Sequence, residues 1–395
     1  MKIGIDKVSF FTPPTYVDMV ELAEVRDVDP NKYLIGIGQE KMGIADKPYD
    51  VVAMAANAAR QILSDKDKEE IDMVLFATET GVDFSKAGAT WIHDLLDIQP
   101  YARSIELKQA CYSGTAAIQL AMGHIALHPE SKVLVLASDI AKYGANTGGE
   151  PTQGAGAVAM LLTANPRVLT IETESVSYTE DIDDFWRPTY SDYAYVDGKY
   201  SNEAYLNTLT ATWNRYKETQ KAELADFESL LFHVPYTKMG RKALQALEDE
   251  MGEETTARFN KYYESAIVYN NIVGNIYTGS LYLSLISLLE QADKLKTGAR
   301  IGMFSYGSGA VGEFFVGEIQ EDYQKYLIKD VHESLLENRV KLSITDYEKI
   351  LSNPVEIDEE GNASIDVQDV SPEDFVFVGV DQHRRQYDQA SNINN

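Results

Sequence analysis

The stretch IELKQACYSGTAAIQLAMGHIAL, residues 105–127, decides how the rest of this chain reads. An apolar-leaning run enters it and a helix-like run leaves it. Small residues (Ala110, Ser113, Gly114, Thr115, Ala116) crowd the turn between them, and at that turn stands Cys111, the only cysteine among 395 residues. A strand-to-helix junction of this kind presents one side chain at its apex. Backbone N–H groups at a helix start favour a thiolate, so the junction predicts a lowered thiol pKa. A lone cysteine by itself is more often a small buried hydrophobe; what decides here is the set of partners found elsewhere in the chain.

The length exceeds one typical domain, so two units or a large fused one are expected. With 44% apolar residues the chain can bury a sizeable core. One cysteine leaves no internal disulfide and no cysteine-based zinc site, and it fits a reducing cytoplasm. No basic-plus-apolar segment opens the chain and no run approaches 18 apolar residues, so neither a signal peptide nor a membrane span is expected. A formal charge of −27 argues against nucleic-acid binding. It also means that any anionic ligand needs a local positive patch.

Apolar runs at 71–78 (IDMVLFAT), 132–137 (KVLVLA), 154–162 (GAGAVAMLL) and 227–233 (FESLLFH) read as strands, the first two as strands covered on both faces. Helical spacing is found over residues 17–25, 50–62, 85–96, 201–216 and 237–247. Residues 29–38 read as a loop carrying Lys32. Residues 175–200 are rich in Asp and Tyr, with no clear period. The tail after about Tyr323 is acidic and is expected to be partly ordered with a frayed end.

The two halves echo each other. Tyr112-Ser113-Gly114-Thr115 matches Tyr277-Thr278-Gly279-Ser280 at an offset of 165, each before an apolar helical run. Gly154–Val158 matches Gly307–Val311 at an offset of 153, and the strands ending at Glu79 and His233 are offset by 154. Three matches in one order point to a duplicated α/β unit, read here as 1–165 and 166–395, with helices covering the sheets.

Duplication would bring together Glu79 at a strand end, Cys111 at a helix start, His233 at a strand end and Asn275 before a helix. Thiol, carboxyl, imidazole and amide make a workable acyl-transfer set, with the nucleophile attacking a thioester carbonyl. The amides of Cys111 and of the Gly307–Gly309 loop are candidate oxyanion donors. Glu79 serves as a base if its surroundings raise its pKa. Each residue also has a structural alternative: a cap for Glu79, a satisfied histidine before Pro235 for His233, turn chemistry for Asn275. Lys238, Arg241 and Lys242 fall on one helical face just after His233, a cationic patch that suits phosphates with help from Lys32.

With these residues the chain resembles the hydroxymethylglutaryl-CoA synthase family, in its bacterial form, within the thiolase superfamily. The strings that carry the resemblance are GIDKVSFFTPP, FATET, KQACYSGTAAIQLA, SDIAKYG, GGEPTQGAGAVAML, DFWRPT, VDGKYSNEAY, FHVPYTKMGRKAL, VGNIYTGSLYLSL and FSYGSGAVGEFF, spread from residue 3 to about 316. The resemblance implies a thiolase-like fold with a layered αβαβα core. It implies that Cys111 takes an acetyl group from acetyl-CoA, that Glu79 deprotonates the acetyl methyl, and that His233 polarises the ketone of acetoacetyl-CoA. Water then releases 3-hydroxy-3-methylglutaryl-CoA. By the same resemblance Asn275 contacts the acetoacetyl group, Ser308 lies near the oxyanion, and Tyr143, Thr152, Ser201 and Tyr205 line the acyl pocket. Lys238 and Lys242 would meet the CoA phosphates or pantetheine, with Asp29 and Lys32 at the adenine end. A homodimer, no metal, no cofactor beyond the CoA substrates, and a place in the mevalonate route to isoprenoids are also implied. Two other readings stay open: an initiating 3-oxoacyl-acyl-carrier-protein synthase, which needs no base such as Glu79, and a non-catalytic CoA-binding relative.

Overall fold

The structure is a computed structural model and describes residues 1–393. Its largest sheet has ten strands: β1 (Ile3–Phe11), β2 (Ile71–Ala77), β3 (Arg103–Leu107), β4 (Lys132–Ala141), β5 (Gly154–Ala164), β6 (Leu169–Ile171), β7 (Val176–Thr179), β8 (Ser229–Phe232), β9 (Arg300–Gly307) and β10 (Val311–Ile319). They run β3-β2-β4-β5-β1-β6-β10-β9-β8, with β7 added beside β10.

That order shows the duplication directly. In the first half the strands follow 3-2-4-5-1, with β2 parallel to β3 and β4, and β5 antiparallel to both its neighbours. From the opposite edge the second half follows 2-4-5-1 with the same senses: β8 parallel to β9, β10 antiparallel to β9 and β6. The two first strands, β1 and β6, pair antiparallel at Gly4–Thr170 and Ile5–Leu169 and join the halves.

Side-chain alternation explains the layers. On β2, Met73, Leu75 and Ala77 face an inner core while Val74 and Phe76 face an outer one. All five are buried, as a strand covered on both faces requires. The outer layer of the first half is α1 (Val51–Arg60) and α2 (Gly88–Leu95). The inner layer is α3 (Ser113–Leu127) together with α7 (Ser280–Gln291), the two helices that follow the duplicated Tyr-Ser/Thr-Gly strings. The outer layer of the second half is α4 (Gly198–Gln220), α5 (Thr237–Ala246) and α6 (Glu253–Ala266). The result is the expected αβαβα stack. Leu281, Leu283, Leu285, Ile286, Leu288 and Leu289 of α7 are all buried in it. Each such side chain contributes roughly 1.5–3 kcal/mol of transfer free energy.

Four expectations need correction. Through residue 393 the acidic tail is folded: it forms helices Lys329–Glu337 and Ile344–Ser352 and a sheet of Ala363–Ser364, Phe375–Asp381 and Arg384–Gln389, while the expected frayed end, residues 394–395, lies outside the described residues. The tail packs on both halves: His332 Nδ1 lies 2.9 Å from Glu290 Oε1, and Arg339 Nη1 donates to Ile272 O at 2.9 Å. Asn57 Nδ2 donates to Phe375 O and Phe375 N–H to Asn57 Oδ1, both at 2.9 Å, and Tyr347 is fully buried. The expected loop at 29–38 contains a short π-helical turn, Lys32–Ile37. Residues 17 and 18 belong to a strand, and Asp18 caps the helix that starts at Met19. The irregular stretch 175–200 holds β7 and a small hairpin, Phe185–Trp186 with Tyr195–Val196.

Candidate active site

Strand ends and helix starts converge at one end of the sheet. β2 ends at Ala77 and Glu79 follows; the turn before α3 carries Cys111. The Cys111 thiol donates to Glu79 Oε1 at 3.2 Å. The β9–β10 loop packs directly on the cysteine turn. A Cβ at Gly307 would stand 2.5 Å from Gln109 O and 2.6 Å from Tyr112 N, so only glycine permits the approach. Gln109 Nε2 also reaches Ser308 O at 3.4 Å.

His233 leaves β8, with its N–H on Phe304 O at 2.8 Å and its carbonyl accepting from the Tyr205 hydroxyl at 2.8 Å. Its ring is buried and Nδ1 has no hydrogen-bond partner. Burial alone drives its pKa down to about 3, so the imidazole is neutral. Asn275 is likewise buried. Its Oδ1 accepts from Tyr277 N (2.9 Å) and Ser280 Oγ (3.0 Å), which leaves Nδ2 unpaired. An unpartnered buried donor is costly, so an unpaired amide in a reactive site marks where an acceptor binds. Asn275 is placed by a close crossing of the halves: Gly274, at φ +89°, packs against Gln153, and a Cβ there would meet Gln153 O at 2.4 Å.

Burial, and then the Asp139 carboxylate, push Glu79 up to about 8. The Cys111 hydrogen bond and the Arg187 charge pull the other way. The thiol of Cys111 is raised well above its ordinary value by burial and by Glu79. This corrects the expectation of a thiolate: the helix-start argument counted the N–H groups but not a desolvated carboxyl in contact with the sulfur.

The other expected residues distribute as follows. Tyr143 is half-buried, with Tyr277 and Thr152 acting on its hydroxyl and Phe185 at 6.0 Å between ring centres. Ser201 Oγ donates to Asp184 at 3.2 Å, and Tyr205 is buried beside His233. Asp29 and Lys32 are exposed, and Asp29 Oδ1 accepts from Asn31 N at 2.9 Å. The turn bearing Lys32 rests on the start of α5, where Thr237 Oγ1 donates to the carbonyls of Ile37 and Gly38. Lys238 and Lys32 join no ion pair among the described residues, and Lys242 Nζ lies 3.0 Å from the Tyr236 hydroxyl. Arg241 leaves the expected cationic face and pairs with Glu264. The Gly309 amide is taken by Asp184 Oδ1 at 2.9 Å and so drops out of the expected oxyanion donors.

Sequence reading missed four groups. Asp139, fully buried, accepts from Thr78 and Thr80 hydroxyls (2.9 and 2.8 Å), Glu79 N (2.9 Å) and Thr278 N (3.1 Å), tying the base to the second half. Asp184 holds Tyr306 and Gly309. Arg187 donates to the Glu79 carbonyl. Tyr347, from the tail, bridges Gln153 Nε2 (2.7 Å) and Glu150 Oε1 (3.2 Å). The first three sit in SDIAKYG and DFWRPT, where a charged residue inside an otherwise apolar or aromatic string was the available signal.

The layered, duplicated fold with a cysteine, a carboxyl, a histidine and an asparagine at its strand ends is that of an acyl-transferring condensing enzyme of the thiolase type. Residues 1–167 match the hydroxymethylglutaryl-coenzyme A synthase N-terminal family model, and residues 169–249 and 244–390 match its C-terminal counterpart. The chain is 54% identical to hydroxymethylglutaryl-CoA synthase of Enterococcus faecalis over 358 residues, covering 91% of this chain and 94% of that protein. It is 33% identical to the polyketide biosynthesis 3-hydroxy-3-methylglutaryl-ACP synthase PksG of Bacillus subtilis, covering 87% of each. A crystal structure of HMG-CoA synthase complexed with CoA superposes with a TM-score of 0.96 at 44% identity, covering 98% of this chain and 100% of that one. The chain belongs to the hydroxymethylglutaryl-CoA synthase family.

Proposed function

We propose that this enzyme condenses acetyl-CoA with acetoacetyl-CoA and water to give 3-hydroxy-3-methylglutaryl-CoA and CoA, in the mevalonate route. The contact between Cys111 and Glu79 carries the reading. The sulfur attacks the acetyl carbonyl and CoA leaves, taking up the thiol proton. Acetyl-Cys111 then places its methyl beside Glu79, which removes a proton to form the enolate. Without a decarboxylation to drive carbanion formation, a dedicated base is required, and burial gives Glu79 the proton affinity for it.

The enolate carbon bonds to the ketone carbon of acetoacetyl-CoA. His233, neutral with a pKa near 3, acts by hydrogen-bonding the ketone oxygen. The unpaired Nδ2 of Asn275 supplies a second contact to the acetoacetyl group. The proton held by Glu79 is the one available to the new alkoxide. Water then cleaves the enzyme thioester and restores the thiol. Cys111 and Ser308 amides hold the oxyanion, and Tyr143, Thr152, Ser201 and Tyr205 shape the acyl pocket.

Lys32, Lys238 and Lys242 receive the CoA phosphates and pantetheine, with Asp29 at the adenine end. Charges without ion-pair partners, in a chain of −27, favour a phosphate-bearing thioester. The higher identity to the CoA-named relative than to the ACP-named one points the same way. The mechanism needs no metal and no further cofactor. A homodimer is proposed through the edge strand β3, where Ile105 is exposed, as is Tyr101 in the turn before it. No helix among the described residues is long and apolar enough to cross a membrane. A cytoplasmic location is proposed because Cys111 must stay reduced. The test is CoA release from acetyl-CoA plus acetoacetyl-CoA; release only with a malonyl carrier protein would replace this reading.

A further inference from the structure

We propose that Arg187 is a positioning residue for the condensation step, holding the main chain of the base Glu79 and setting a positive charge beside it. This rests on the assignment of Glu79 as base. Arg187 follows the first strand of the hairpin Phe185–Trp186/Tyr195–Val196. Its Nη2 donates to the Glu79 carbonyl.

The hairpin is held from both halves. Asp184 accepts from the Tyr306 hydroxyl and the Gly309 amide, each at 2.9 Å, and from Ser201 at 3.2 Å. Phe185 lies 6.0 Å from Tyr143 and 5.9 Å from Tyr277, ring centre to ring centre. Trp186 stacks on Tyr195 at 5.7 Å. An arginine so anchored fixes the direction of the Glu79 carbonyl, and with it the path of the side chain toward Cys111.

The charge matters as much as the bond. Glu79 faces the Asp139 carboxylate from β4, the Cys111 thiol from the turn before α3, the phenols of Tyr143 and Tyr277, and Arg187. Burial and Asp139 favour the neutral acid, which cannot act as a base; Arg187 favours the carboxylate. The other charges acting beside Arg187 are Lys142, which is exposed, and Asp192. The guanidinium therefore offsets part of the cost of a buried base, and the hairpin brings it to the site.

The test uses Arg187→Lys and Arg187→Met in the full chain. Acetyl-Cys111 is measured by mass after acetyl-CoA alone, and single-turnover condensation of the acetyl-enzyme with acetoacetyl-CoA is followed across pH. Both variants are expected to acetylate to wild-type yield. In Arg187→Met the acidic limb of the condensation profile moves to higher pH and the rate at pH 7 falls at least about tenfold; in Arg187→Lys the limb stays near wild type. An unshifted limb in the methionine variant, or parallel loss of acetylation and condensation, overturns the proposal. A wild-type chain that never acetylates Cys111 overturns it together with the reading it rests on.

Discussion

The sulfur of Cys111 lies 3.2 Å from Oε1 of Glu79, with β3 between them in the chain. Nucleophile and base share one desolvated spot: Glu79 makes ionisation of the thiol harder, while the thiol hydrogen bond favours the carboxylate. Removing the carboxyl therefore has two separable effects. In Glu79→Ala, acetyl-Cys111 still accumulates, while condensation slows by roughly two or more powers of ten, the usual weight of a general base. Glu79 becomes mainly anionic only above about pH 8, so in Glu79→Gln the thiol loses that charge and is alkylated faster by iodoacetamide at pH 9. Equal loss of both half-reactions, or slower alkylation in the glutamine variant, would count against the pairing.

His233 sets a stability prediction with a definite sign. Its pKa is near 3 in the fold and about 6.5 when unfolded, so below pH 6.5 only the unfolded chain takes up the proton. Stability from this group is lost as pH falls from 6.5 towards 3. The loss is about 2 kcal/mol by pH 5, at 1.36 kcal/mol per pH unit. Denaturant unfolding of wild type and His233→Gln at pH 7.5 and 5 checks it: the wild type should lose more, by about that difference.

Gly307 is a steric keystone for the cysteine turn. An added Cβ would stand 2.5 Å from Gln109 O and 2.7 Å from the Tyr112 side chain. Gly307→Ala should cost about 1–3 kcal/mol of stability, in the range of overpacking, and displace Cys111 enough to suppress acetylation. Gly123, in α3 with nothing within 4 Å of its added Cβ, is the control. Gly123→Ala should be neutral or gain up to about 1 kcal/mol.

The unpaired lysines are tested by charge. Lys32→Glu and Lys238→Glu should raise KM for both CoA thioesters about tenfold or more, with kcat changed far less. The difference from wild type should shrink at high salt, because exposed charges are screened within about 10 Å at 0.1 M. A kcat loss at unchanged KM would place these residues elsewhere in the mechanism.

Much of this was legible in the residues. Within the strings at 71–78 and 132–137, residues 73–77 and 133–137 are continuously apolar, so buried strands follow from the pattern alone. The duplicated Tyr-Ser/Thr-Gly strings mark the two helices that share the inner layer. Three features were hidden for a common reason, that they depend on what folding places nearby. The protonation of Cys111 depends on Glu79, from another strand. The roles of Asp139 and Arg187 depend on contacts across the halves. The order of the tail depends on receptors such as Asn57 and Gln153 in the first half, while its acidic composition suggested fraying. Arg241 misled because helical spacing shows which residues share a face, not which carboxylate, here Glu264, lies opposite.

The most direct test is mass analysis of the intact chain after acetyl-CoA, followed by acetoacetyl-CoA. The expected result is one acetyl adduct, located on Cys111 and absent in Cys111→Ala, that disappears as 3-hydroxy-3-methylglutaryl-CoA forms. An adduct on another residue, or product formed by Cys111→Ala, would contradict the account.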